Sequence, residues 1–405
     1  MSTALASGAF LDPAEEALLV VDLAEGRARH PWEVILSSIP VSQRRLAGID
    51  DRAASQVTAA YEDARKIISE RIRRRYERTF GKGVQPTQGE LYHFALDTEL
   101  AQTLEERQLD IDQRSVTAIY NGYDDAVAEA IRQTGIERRQ IDRELGGGTG
   151  ITGTFVAPPG VAEEVGMTTA INKARELAAD IPVAVQTALQ ASALAGEGIG
   201  AMVARTTPVF KGNALRAELT SRYVTIKGYN TARELHYMDV ADHLAQYGRH
   251  LQKMWVTSVD DRACPVCLAL HGSVVDLGSS FDTEATFSEA TPPKTYPEGD
   301  ECPTPPRHAR CRCSLVPWVE GWRAGTDHTP ESMQADAKEQ AFGELGKVPA
   351  STAAPNAVVK AGPSPFSRSV NSPKLITGAD LRRIPNGRFE SALALYRACS
   401  LGRGG

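Results

Sequence analysis

The chain has 405 residues, room for two to four folded units at roughly 100–200 residues each, and its 42% hydrophobic and 24% charged residues are those of an ordinary globular protein. The longest apolar run, residues 17–21, is far too short to cross a bilayer, and residues 1–5 carry no basic stretch of the kind that opens a secretory signal, which disfavours a membrane protein and a classically secreted one. The net charge of −6 is uneven: residues 360–405 hold eight Lys and Arg against Asp380 and Glu390, a surplus of six that leaves −12 for residues 1–359. An acidic body with a basic, Pro/Gly/Ser-rich end describes either an arm for a polyanion or acidic protein surface, or a solvated tail.

Residues 1–145 read as a helical N-terminal domain. A helix around 52–79 ends in Arg71-Ile72-Arg73-Arg74-Arg75-Tyr76-Glu77-Arg78, a run that invites a nucleic-acid reading. Glu62, Asp63, Glu70 and Glu77 interleave at helical spacing, so an ion-paired, solvated face is the better account. Val116, Ile119, Tyr120, Tyr123, Val127 and Ile131 then recur at steps of three and four, the stripe of a second amphipathic helix. Residues 146–160 read as a Gly/Pro linker. They contain G-x-G-x-x-G at Gly148, Gly150 and Gly153, but a charged helix rather than an apolar strand precedes it, and Pro158-Pro159 block the helix a dinucleotide site requires.

Residues 161–322 combine a helical region with a small C-terminal module. Helical pattern resumes over 161–205, with Ala184, Ala188, Ala191 and Ala195 on one face, breaks at Gly196, Gly198 and Gly200, and continues from about 212 to 250. Short strands are expected at 254–259, 273–277 and 313–318. Between the last two lies a Pro-rich stretch of about thirty residues, a length that needs an anchor or a function. One further helix, 332–343, is expected within 323–405, which is otherwise a largely disordered basic tail. The fold class is α+β: predominantly helical N-terminal and central regions, then a small mixed helix and short-strand module stapled by Cys and His, then the tail.

Five of the six cysteines lie between 264 and 313. Cys264-Pro265-Val266-Cys267 leaves the first strand and His308-Ala309-Arg310-Cys311-Arg312-Cys313 enters the last, so a C-x2-C knuckle faces a second short-spaced cluster, the pattern of a tetrahedral Zn2+ site. On an extended backbone Cys311 and Cys313 point to one face and Arg312 to the other. The favoured ligands are Cys264, Cys267, Cys311 and Cys313, with His308 as substitute or as a group orienting a ligand; Cys302 is read as outside the set. A structural metal closing a loop of about forty residues would offset the small core of three short strands. A disulfide between one knuckle and the other, or free thiols, fits the same spacing. A catalytic zinc would need an open position and a base, for which Asp260, Asp261 and His271 are candidates that no spacing distinguishes. No H-E-x-x-H, G-x-S-x-G or Walker pattern occurs. His236, Asp239 and His243 share a helical face and read as ordinary polar surface.

Arg216-Ala217-Glu218-Leu219-Thr220, Asn230-Thr231-Ala232-Arg233, Trp255-Val256-Thr257, Asp260-Asp261-Arg262-Ala263-Cys264-Pro265-Val266-Cys267, Leu270-His271-Gly272 and Pro305-Pro306-Arg307-His308-Ala309-Arg310-Cys311-Arg312-Cys313 together resemble the Mu F-like minor head protein (phage head morphogenesis) family over about residues 188–318. The resemblance implies a non-enzymatic minor head protein of a tailed bacteriophage. It would be present in several copies in the virion, formed in the host cytoplasm and associated with the portal protein or the major capsid protein. It would assist head morphogenesis, DNA packaging or ejection. The basic tail adds viral DNA as a partner. The alternatives are a zinc-dependent hydrolase and a DNA-binding protein acting during packaging or ejection. A long Pro-rich insert carrying Cys302, and Arg307 just before the histidine, depart from the simplest family pattern.

Overall fold

A computed structural model of the chain describes residues 31–145, 147, 165–257, 263, 265–281, 302–308, 310–319, 322 and 329–345. Its helices are α1 (Pro31–Phe80), α2 (Gln88–Ala95), α3 (Thr98–Glu144), α4 (Met167–Leu194), α5 (Ile199–Ala245), α6 (Pro265–Leu270) and α7 (Pro330–Leu345), with strands β1 (Leu251–Val256), β2 (Val274–Asp276) and β3 (Ser314–Val319). The chain divides into two units, Met1–Ala341 and Phe342–Gly405; of the second, only the residues ending α7 are described.

The long helices follow from sequence periodicity. On α1, Ile35, Ile39, Leu46, Ile49, Ala53, Val57, Ala60, Ala64, Ile68, Ile72 and Tyr76 recur at steps of three, four and, once, seven residues, and all are buried. Between α1 and α3, α2 opens with a reciprocal cap: Thr87 N–H donates to Glu90 Oε2 at 2.8 Å while Glu90 N–H donates to Thr87 Oγ1 at 3.4 Å. Asp97 caps α3 by accepting from Leu100 N–H at 3.0 Å. Helices α1, α3 and α5 pack against one another, and α4 packs on α3 and α5. Their close approach depends on glycine. A Cβ on Gly122 would lie 2.7 Å from Ala53 Cβ, and one on Gly228 would lie 2.8 Å from the Tyr123 ring.

Helices before and after 146–160 contribute residues to this core. Residues 146 and 148–160, with the G-x-G-x-x-G, lie outside the described residues, as does 346–405. The break at Gly196–Gly200 is present: α4 ends at Leu194, Gly196 has φ +66°, and α5 starts at Ile199. Helix α5 continues without interruption through 206–211, where the periodicity had left a gap. The arginine run at the end of α1 is ion-paired. Arg75 meets both Asp97 and Glu99 at 2.7 Å, Arg78 meets Glu99 at 3.3 Å, and Arg74 pairs with Glu70.

The expected strands form one antiparallel sheet in the order β2-β1-β3, with Met254 opposite Val274 on one side and Val316 on the other. Met254 and Trp255 are both fully buried, so β1 is covered on both faces. This sheet has its own apolar cluster, to which α1 contributes Trp32, Ile35 and Ile39, α3 Ile141, and α5 Tyr237, Val240 and Leu244. Trp32 packs edge-on against Trp318 at 5.0 Å and tilted against Trp322 at 5.8 Å, fastening the start of α1 to β3.

Candidate metal centre

Helix α5 holds the sheet module through buried polar side chains. Asn230 acts as a surrogate strand: its Nδ2 donates to Cys313 O at 3.2 Å and its Oδ1 accepts from Leu315 N–H at 2.8 Å, pairing the backbone on either side of β3's first residue. One turn on, Arg233 is fully buried and pairs with Glu137 of α3, which also accepts from Tyr237 Oη at 2.8 Å. Glu234 then meets Lys253 of β1, whose Nζ also donates to Pro303 O at 2.8 Å, and Glu234 accepts from Gly278 N–H at 3.1 Å. Lys227 donates to Thr304 Oγ1 at 2.5 Å. Residues 227, 230 and 234 thus anchor the 302–308 segment, the start of β3 and the centre of β1 from a single helix face.

That anchoring brings the cysteines together. Cys267 in α6, His308, and Cys311 just before β3 present one ligand atom each within 4.8 Å of one another. Cys267 Sγ lies 3.3 Å from His308 Nε2 and 3.8 Å from Cys311 Sγ. A turn closed by Cys311 N–H donating to His308 O at 2.9 Å sets the His308–Cys311 spacing. Zinc bonds of roughly 2.3 Å to sulfur and 2.0–2.1 Å to nitrogen, at tetrahedral angles, put two sulfurs about 3.8 Å apart and a sulfur and nitrogen about 3.6 Å apart. The observed separations match the edges of that tetrahedron, and the residues present therefore fit the metal. A disulfide needs sulfurs at about 2.05 Å, and Cys267, Cys302, Cys311 and Cys313 are not joined in disulfides.

Cys313 is fully buried beside this group and interacts with the Cys267 and Cys311 thiols and with Thr257. Hydrogen bonds from Cys267 and Cys313 hold Cys311 well below the usual thiol range, while burial pushes Cys313 well above it.

The residues singled out from sequence separate as follows. Cys267, His308 and Cys311 converge, and Cys313 borders them. His308, expected either as a substitute ligand or as an orienting group, has its Nε2 in direct contact with Cys267 Sγ. Cys264, Asp260 and Asp261 lie outside the described residues. Cys302 lies outside the ligand group, its Sγ donating to Thr304 O at 3.6 Å. His271 is buried, and its Nδ1 accepts from Thr257 N–H at 3.0 Å; burial pushes its pKa down to about 4. Gly272 has φ +78°, and a Cβ there would lie 2.6 Å from Pro330 O, so the Leu-His-Gly sequence is a close-packed turn under α7. His236, Asp239 and His243 do not converge: His236 is buried, whereas Asp239 is exposed and pairs with Arg138 at 2.9 Å. Sequence periodicity gave no sign of Trp32, Glu137, Glu234 or Lys253, which position the module.

Among the described residues no helix is long and apolar enough to cross a membrane. Residues 183–316 match the family described as Phage Mu protein F like protein. The matched segment runs from α4 through α5 to β3 and includes Cys267, His308, Cys311, Cys313 and the anchors Asn230, Arg233 and Glu234. It agrees with the resemblance read over 188–318. No curated protein and no solved structure matches the chain.

Proposed function

We propose that this chain is a structural minor head protein of a tailed bacteriophage, docked to the portal protein or the capsid interior, with its Cys/His centre holding a structural Zn2+. What carries the reading is that the Mu F-like match and the Cys/His centre coincide in one module, which α5 ties into a helical body. Cys267, His308 and Cys311 supply three ligands, and Cys313 or Cys264 the fourth. A centre with four protein ligands has no position for a substrate, which favours assembly over hydrolysis. The metal's contribution is to clamp the turn before β3 onto α6, where the apolar core is thin. The basic end at 360–405 suits packaged DNA, in keeping with a part in packaging or ejection.

Two measurements test this. Purified heads and procapsids, analysed by mass spectrometry, are expected to contain the chain in several copies alongside portal and capsid proteins. Its presence only outside particles, with heads assembling normally in its absence, overturns the assembly role. Metal analysis of the purified full chain is expected to give one zinc per chain, lost in Cys311→Ser; a metal-free, fully folded chain overturns the zinc assignment.

A further inference from the structure

Helix α7 is set against the residues that lead from the metal centre to the sheet. Thr329 caps its start, its Oγ1 accepting from Ser332 N–H at 3.2 Å. The turns that follow rest on residues 263–272. Ala337, fully buried, packs with Leu268 of α6 and beside Ala263. Gln334 Nε2 donates to Gly272 O at 3.2 Å, and Pro330 O approaches Gly272 so closely that a Cβ there would lie 2.6 Å from it. Met333 reaches the apolar cluster of the sheet module. Gly272 N–H in turn donates to Trp255 O at 2.8 Å, which fixes the turn beneath α7 to β1. Two neighbouring residues of α6 therefore serve different structures: Cys267 gives its sulfur to the metal centre, and Leu268 receives α7.

We propose that α7 is a latch on the metal centre, an inference that rests on the structural-zinc reading above. Docked, α7 holds α6 so that Cys267 stays beside His308 and Cys311; undocked, it leaves α6 unsupported and the metal leaves faster. A helix of six residues has no stability of its own in water, so the position of Cys267 depends on what α6 packs against. Helix α7 has 16 residues, yet among its described side chains it buries only Pro330, Met333 and Ala337. A stripe that narrow can open locally while the helical body stays intact. Among the described residues the ligand group contains none from α7, so α7 acts through α6. The coupling is reciprocal: by whatever factor a docked α7 tightens the metal, the bound metal favours docking of α7.

The experiment loads the full chain with zinc and follows transfer of the metal to a chromogenic chelator, with hydrogen exchange over 330–337 read by mass spectrometry on the same samples. Ala337→Glu sets a charge against Leu268. It is expected to speed zinc release about tenfold and to remove the protection of α7, while zinc at saturation stays at one per chain. Ala335→Glu makes the same chemical change at an exposed position of α7 and is expected to leave both readouts unchanged. Gly272→Ala strains the docking from the other side, by its contact with Pro330 O, and keeps the result readable if Ala337→Glu does not fold. Zinc release at the wild-type rate in Ala337→Glu and Gly272→Ala overturns the latch. So does faster release while α7 stays protected, an α7 already unprotected in the loaded wild type, or equal acceleration in Ala335→Glu. A chain that takes up no zinc removes the latch and the zinc reading together. One zinc per chain, released at a rate indifferent to α7, removes the latch alone.

Discussion

The helical body and the sheet module solve the same problem by different means. The body has helices of 50, 47, 28 and 47 residues, whose apolar stripes bury a large interior. The module has three strands of 6, 3 and 6 residues, and its shape depends on particular polar groups: Asn230 on the β3 backbone, Glu234 on Lys253, and the Cys/His centre. Area buried scales with size, so a small module lacks the surface that makes a long bundle robust. Stability is diffuse in one region and localised in the other. A useful accident makes the two separable by spectroscopy: all four tryptophans, Trp32, Trp255, Trp318 and Trp322, belong to the module's core.

The largest effect is expected from removing the metal or one of its ligands. Chelation, or Cys267→Ser, should abolish most of the tryptophan near-ultraviolet signal while helical ellipticity changes little, since structural zinc supplies on the order of 10 kcal/mol of folding free energy to sites of this kind. Simultaneous loss of both signals would show that the two regions share one cooperative unit and that the contrast is false. Next in size is Glu137→Ala. It leaves the fully buried Arg233 without its partner and should cost about 3–5 kcal/mol in urea unfolding. This pair joins α3 to α5 at the border of the two regions, so both signals are expected to shift together. A loss under 1 kcal/mol would mean that water or Tyr229 compensates the guanidinium. Asn230→Ala comes third, at about 2 kcal/mol, because a carbonyl and an amide flanking the start of β3 lose their buried partners at once. Its effect should fall on the tryptophan signal alone.

Sequence made the repeating features legible and hid the singular ones. The stripe from Val116 to Ile131 is a local pattern, and the helix it indicates is present; of the two Cys spacings, Cys267 and Cys311 meet, together with His308. The three strands were found within about three residues because short β-rich runs between turn residues are also local. Spacing alone does not say which of five donors a turn brings inward; the turn closed by Cys311 N–H donating to His308 O sets His308 beside Cys267 and Cys311. Glu137 and Arg233 are 96 positions apart, and Trp32 and Trp318 farther still. Nothing local marks a charged residue as buried when its partner lies on another helix, so these contacts were invisible. The same holds for the shared core across 146–160: a Gly/Pro-rich stretch looks like a domain boundary whether or not the helices on either side pack together.

The smallest effect concerns pH and sharpens the contrast where body and module meet. Burial, reinforced by Arg138 and Arg233, pushes His236 down to about 3, so the folded state keeps it neutral while the unfolded chain binds a proton below about 6.5. Stability is therefore lost as pH falls below that value, by about 1 kcal/mol between pH 7 and 5.5. His271 in the module, at about 4, adds a loss of similar size over the same interval. Asp50 acts in the opposite sense. Burial raises it to about 6 against the pull of Arg222, so the folded state takes up a proton that the unfolded state does not hold until below about 3.8, returning somewhat under 1 kcal/mol. The wild-type slope is thus a partial cancellation, and subtraction reveals its parts. His236→Phe should flatten the fall between pH 7 and 5.5 by about 1 kcal/mol, and Asp50→Asn should steepen it by slightly less, both read from urea midpoints at fixed ionic strength. If His236→Phe leaves the slope unchanged, the ring is protonated in the folded state and the junction between α3 and α5 is wetter than its burial implies.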